Sequence, residues 1–154
     1  MLKENHKVAI YLEGHFSTDY GKMGIGVLRY LSNQIVAVID SKNNGKNTNE
    51  FNSIKRSVPI VSTLDAAVSN GAEVLILGIA PSGGKIPEAW FKVIESAISK
   101  NLSIINGLHD TLLSKYKNSL KNNQWIWDVR VPQFIPEIAS GKAAKLKNKR
   151  ILCV

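Results

Sequence analysis

One cysteine, three histidines and no apolar run near the length of a membrane span leave several functional classes without support. A single cysteine allows no intrachain disulfide, and Cys153 lies in an apolar "ILCV" that reads as buried, so a reducing, cytoplasmic location is expected. A spanning helix needs about 20 consecutive apolar residues, which this chain lacks. The opening "MLKENHKVAIYLEG" has only a short apolar stretch, ended by Glu13, without the cleavage region of a signal peptide. Scattered histidines and one cysteine give no metal-ligand spacing, so no metal is expected. Serine-hydrolase chemistry lacks its G-x-S-x-G elbow.

Arginine is also scarce beside lysine, and this weakens the partner that a net charge of +8 first suggests. The tail "GKAAKLKNKR" carries Lys142, Lys145, Lys147, Lys149 and Arg150 with no acid; +8 less those five leaves +3 for the rest. Nucleic-acid readers group cations on one folded face, with arginines for base edges or aromatics for stacking. A solvated basic linker fits better, and no nucleic-acid or membrane partner is expected.

What is present is alternation. At 154 residues and 44% hydrophobic content, one domain with a real core is expected. "HKVAIYL", "QIVAVID", "VPIV", "EVLILGI", "LSIIN" and "WIWDVR" read as six strands. Between them lie helical patterns in "GKMGIGVLRYLS", with Met23, Val27 and Tyr30 or Leu31 facing inward, and in "STLDAAVSNG", where Ser62 caps, Asp65 completes a box and Gly71 ends the helix. A third helix starts at Pro87 and carries Trp90, Phe91, Ile94, Ala97 and Ile98 inward, and "HDTLLSKYKNSL" is a fourth. "SKNNGKNTNEFNSIKRS" reads as an exposed loop, and "RILCV" as the start of one more strand. The alternation predicts an α/β fold with a mainly parallel sheet of order 3-2-1-4-5-6.

In such a sheet ligands bind beyond the carboxyl ends of the strands, where the order reverses. That edge collects Glu13, Gly14, His15 and Lys22 after strand one, Asp40 after strand two, and Pro81, Ser82, Gly83, Gly84 and Lys85 after strand four. Gly107, His109 and Asp110 follow strand five, with Asp128 and Arg130 after strand six. Gly83 and Gly84 are suited to an anion nest near a helix start, and equally to a plain turn. Lys85 is followed by Ile86, without the Ser or Thr of a Walker A loop. "GKMGIG" has its glycines in the wrong order for a dinucleotide fingerprint; Asp40 stands where a ribose-binding acid would, or simply starts the following turn. His109 is a candidate proton acceptor, whereas Asp110 is placed to cap the helix from Thr111. Asp128 and Arg130 either form a local ion pair or orient the guanidinium toward a carboxylate or phosphate.

The pieces "GKMGIGVLRY", "IVAVIDS", "VPIVSTLDAA", "VLILGIAPSGGKIPEAW", "GLHD" and "WDVR", in this order, resemble the N-terminal domain of the family called domain of unknown function 1611. The pattern departs from the family's at Gly24, so no functional histidine is carried over there. The resemblance implies a three-layer Rossmann-like domain over residues 1–140, followed at 141–154 by a basic linker and the first strand of a missing P-loop domain. It implies a D-glutamate N-acetyltransferase-like whole, with acetyl-CoA as acyl donor. This chain would line one wall of the site and be inactive alone. "VPIVSTLDAAVSNGAEVLILGIAP" is similar more loosely to CoA-binding domains of the succinyl-CoA synthetase type. The alternative is therefore a nucleotide- or CoA-binding module without catalysis, and the third reading a dimerisation platform forming a homo-oligomer. In the leading reading a small anionic molecule meets Gly83, Gly84, Lys85 and Arg130, and His109 takes a proton.

Overall fold

The computed structural model describes residues 1–51, 54–132, 134, 141, 145 and 147. The expected strand "RILCV", the setting of Cys153, and Lys142, Lys149 and Arg150 lie outside the described residues. Six strands pair in parallel: β1 (Val8–Tyr11), β2 (Ile35–Ile39), β3 (Ile60–Val61), β4 (Val74–Leu77), β5 (Ser103–Asn106) and β6 (Ile126–Asp128). Their order is β3-β2-β1-β4-β5-β6, as the alternation predicts. Every residue of β1, β2, β4 and β5 is buried, the pattern of central strands covered on both faces.

The helices α1 (Lys22–Tyr30), α2 (Leu64–Ser69), α3 (Glu88–Ser99) and α4 (Leu112–Tyr116) connect the strands. Helix α3 buries Trp90, Ile94, Ala97 and Ile98, as its spacing predicts, but Pro87 is its cap rather than its first residue. Helix α2 is capped by Thr63, whose hydroxyl accepts the Ala66 amide, and not by Ser62; Asp65 instead pairs with Lys100. Its other end follows expectation. Gly71, at φ +89°, donates to Val68 while Ala72 donates to Ala67, the paired bonds of a Schellman stop. Asn101 takes the corresponding left-handed place after α3, with Leu102 bonded back to Ala97.

Two expectations need correction. The Asn/Lys stretch is not simply an exposed loop: Asn47 and Glu50 close a reciprocal capping box, Thr48 and Ile54 are buried, and Phe51 packs edge-on against Phe16 at 4.7 Å. Helix α1 buries Gly24 and Leu28, and the expected Val27 and Leu31 pack half-buried against the core, while Tyr30, the alternative to Leu31, is 84% exposed. The closest approach is made by a glycine, because a Cβ there would lie 2.7–2.9 Å from the Leu12 side chain. Gly26 differs: a Cβ on it would meet nothing within 4 Å. Gly26→Ala should therefore stabilise the domain by about 0.5–1 kcal/mol through helix propensity, read as a raised urea midpoint. A lowered midpoint would mean that α1 does not stand as described.

Candidate functional site

At the carboxyl end of β2, Asp40 is fully buried, and its oxygens accept from the Gly14 amide at 2.9 Å, the Lys42 amide at 3.2 Å and Asn43 Nδ2 at 2.7 Å. This carboxylate ties the loop after β1 to the loop after β2, in place of the free ribose acceptor that its position suggests. Gly14 takes φ +71° at that tie. Glu13 accepts the Ser41 amide at 2.9 Å and also meets the Ser41 hydroxyl. Lys22 forms an exposed pair with Asp19 at 3.0 Å, an interaction of small energetic weight.

The crevice between β1 and β4 is closed by the chain itself. Gly24, in the first turn of α1, donates its amide to the Gly78 carbonyl at 2.8 Å. Ala80 donates to the Tyr20 carbonyl at 2.8 Å, and the Tyr20 hydroxyl meets Ser82 Oγ at 3.1 Å. A dinucleotide pyrophosphate conventionally sits at this helix start; here one of its amides is already taken and the two loops are joined above it.

The "APSGGK" loop is held on its other flank as well. The Ile86 amide donates to Asp110 Oδ2 at 2.6 Å, and the His109 amide to the Gly84 carbonyl at 2.8 Å. The His109 imidazole lies over Gly84 so closely that a Cβ there would come within 2.7 Å of the ring. Gly84 donates its own amide to Pro81, whereas the Gly83 amide meets no acceptor among the described residues and open space lies over its Cα. Both glycines have positive φ, 77° and 65°.

Asp110 is thus not the cap of α4. That role falls to Asp128, whose carboxylate accepts the Leu112 amide at 3.0 Å, the Leu113 amide at 2.9 Å and Asn106 Nδ2 at 2.8 Å. Nor do Asp128 and Arg130 form an ion pair. Arg130 donates Nε to the Gly107 carbonyl at 2.9 Å, which leaves the outer guanidinium nitrogens at the exposed edge. Gly107 is a close-approach position, its missing Cβ facing the Met23 sulfur at 2.9 Å. Sequence reasoning missed Asn106: its side chain bonds Asp128, the Asp110 carbonyl and the Leu108 amide, so it holds "GLHD" and "WDVR" together. An amide ending the otherwise apolar "LSII" was the available signal.

The charged groups at this edge differ in how far the fold uses them. Glu13, Asp40, Asp110 and Asp128 each accept a backbone amide from their own fold. Lys85 and Arg130 have no acidic partner among the described residues. The structure therefore brings Pro81, Ser82, Gly83, Gly84 and Lys85 together with Gly107, His109 and Arg130, where the two exposed cations keep donors that no nearby carboxylate takes up. Gly14, Lys22 and Asp40 sit across the closed crevice, and Asp128 lies beneath. Tyr11, at the end of β1, has its hydroxyl pushed up to about 12 by burial and then by the Glu13 charge, so it stays neutral at ordinary pH.

Sheet order, crossover helices and a loop-built carboxyl edge define a Rossmann-like α/β domain. The chain belongs to the family described as "Domain of unknown function (DUF1611_N) Rossmann-like domain", which matches residues 41–132. It is 37% identical over 91 residues to a D-glutamate N-acetyltransferase of Pseudoalteromonas sp, across 57% of this chain and 27% of that protein. A second D-glutamate N-acetyltransferase, from Tritonibacter scottomollicae, is 35% identical over 95 residues, across 60% and 28%. The crystal structure of a DUF1611 family protein from Anabaena variabilis aligns with a TM-score of 0.84 and 39% identity, over 92% of this chain and 42% of that one. The match thus spans little more than a quarter of the curated relatives' length. No helix among the described residues is long and apolar enough to cross a membrane.

Proposed function

We propose that the chain is the N-terminal domain of a D-glutamate N-acetyltransferase-like protein and lines one wall of its substrate or acyl-donor site. The observation that carries this reading is the surplus of donors at the carboxyl edge: Asp110 and Asp128 are engaged with backbone amides, while Lys85, Arg130 and the Gly83 position are exposed. An amino dicarboxylate is the kind of anion such an edge attracts. The names of the two curated relatives supply the particular substrate.

In N-acetyl transfer the amine nitrogen bonds the thioester carbonyl carbon, the C–S bond breaks with the thiolate leaving, and the amine loses a proton. His109, exposed and braced on Gly84, is the candidate acceptor for that proton. Lys85 and Arg130 hold the carboxylates. A downstream P-loop domain supplies the opposite wall, and the isolated chain binds without turnover. Acetyl-CoA is the acyl donor in this scheme.

Calorimetric titration with D-glutamate tests the reading. Arg130→Ala should weaken binding by about 10- to 100-fold, the cost of removing a charged hydrogen-bond partner. Unchanged affinity removes Arg130 from the site. Acetyl transfer by the 154-residue chain alone would sink the shared-wall scheme. Binding of CoA with no response to D-glutamate would replace it with the alternative, a CoA- or nucleotide-binding module.

A further inference from the structure

At the opposite, amino-terminal edge of the sheet, where α1 ends and the chain turns toward β2, lies a cavity of about 680 Å³. Its wall is formed by Leu28, Arg29, Tyr30, Ile54, Lys55 and Arg56. The volume is in the range of small-molecule sites. Three of the six side chains are cations, and none is acidic. Leu28, fully buried, and Ile54, 5% exposed, anchor the base of the cavity in the core.

Arg56 has a structural task. Nη2 donates to the Leu31 carbonyl at 2.8 Å and Nη1 to the Asn33 carbonyl at 3.4 Å, which satisfies the end of α1 and fixes the guanidinium in the cavity wall. That task leaves Arg29 and Lys55 unexplained. Neither has an acid within ion-pair distance among the described residues, so three like charges share one cavity wall. Such an arrangement is relieved by a bound anion. Tyr30 adds the second element. It is 84% exposed on a helix that packs inward through Gly24 and Leu28, so its ring is left available to a planar group.

We propose that this cavity binds a nucleoside monophosphate, with the phosphate held by Arg29 and Lys55 beside the fixed Arg56, and the base against the exposed Tyr30 ring. The usual nucleotide crevice of this fold is closed here by the Gly24–Gly78 and Ala80–Tyr20 bonds. The proposed site shares no residue with the carboxyl-edge site and goes beyond the acetyl-transfer reading.

The test is an NMR titration of the 154-residue chain with AMP, beside parallel titrations with inorganic phosphate and with adenosine. AMP should shift the amides of Arg29, Tyr30, Lys55 and Arg56, and bind at least about tenfold more tightly than either half-molecule. The double variant Arg29→Ala/Lys55→Ala should lose about tenfold or more in AMP affinity. Tyr30→Ala should weaken AMP and leave phosphate unchanged. Equal responses to phosphate and AMP, shifts confined to Gly83, Lys85 and His109, no shifts, or a double variant with unchanged affinity would each overturn the proposal. Lys85→Ala/Arg130→Ala should leave the AMP titration intact, so this inference and the D-glutamate reading fail independently.

Discussion

Asp128→Ala is expected to cost roughly 3–4 kcal/mol of stability and about 10 °C in melting temperature. Asp128 is 8% exposed, and its two oxygens serve three donors: the Leu112 and Leu113 amides and Asn106 Nδ2. Alanine removes the acceptor and leaves buried donors without partners, a larger loss than that of a solvent-exposed cap. Asn106 would also lose its side-chain bond to β6, loosening "GLHD" behind the candidate proton acceptor. Asp128→Asn keeps the shape but offers an NH₂ where an amide donor already points, so it should fall between alanine and the parent. Urea unfolding at neutral pH separates the three. An alanine variant within about 1 kcal/mol of the parent would mean that the α4 amides find water instead.

Asp128 also shows where the sequence stopped being informative. The strands were legible because β1, β2, β4 and β5 are short apolar runs buried on both faces, and connection rules then left one natural order. The Gly71 stop was legible because a helix end of that kind is local chemistry. The start of α4 was not: its carboxylate comes from β6, 16 residues beyond Leu112, while Asp110, the nearer acid, is drawn away to the Ile86 amide. Asp40 was legible as the start of the turn at Ser41–Asn43, but not its bond to Gly14, which belongs to a loop that meets it only in the folded sheet. Val27 and Leu31 on the inward side of α1 were legible, but Gly24 was not, because hydrophobic periodicity counts bulky residues and the closest approach is made by a glycine. The amino-edge cavity was hidden too, as residues 28–30 and 54–56 are brought together only after β2 has passed between them in the chain. The "APSGGK", "GLHD" and "WDVR" segments could be assigned to one edge from topology alone, but their bonding could not.

Gly78→Ala should be a far more damaging change than its single methyl group suggests, costing about 3 kcal/mol or more. A Cβ at Gly78 would lie 2.7 Å from Ile10 Cγ2, 2.9 Å from the Gly24 Cα and 3.1 Å from the Tyr11 carbonyl oxygen. Two of those three atoms are backbone, so no rotamer change relieves the contact; α1 or the end of β4 must move. Either movement stretches the 2.8 Å bond from the Gly24 amide to the Gly78 carbonyl, and then the Ala80–Tyr20 bond that carries "APSGGK". The three atoms nearest a Cβ at Gly24 all belong to the Leu12 side chain, which is fully buried but not backbone, so Gly24→Ala should cost less. Urea midpoints are therefore expected to rise in the order Gly78→Ala, Gly24→Ala, parent, Gly26→Ala. Because the strain at Gly78 passes through α1 to Tyr20, the Gly78 variant should also shift the Ser82 and Gly84 amide resonances, whereas Gly26→Ala should leave them in place. A Gly78→Ala protein as stable as the parent, with those resonances unmoved, would show that α1 does not close the β1–β4 crevice and would reopen it to a dinucleotide.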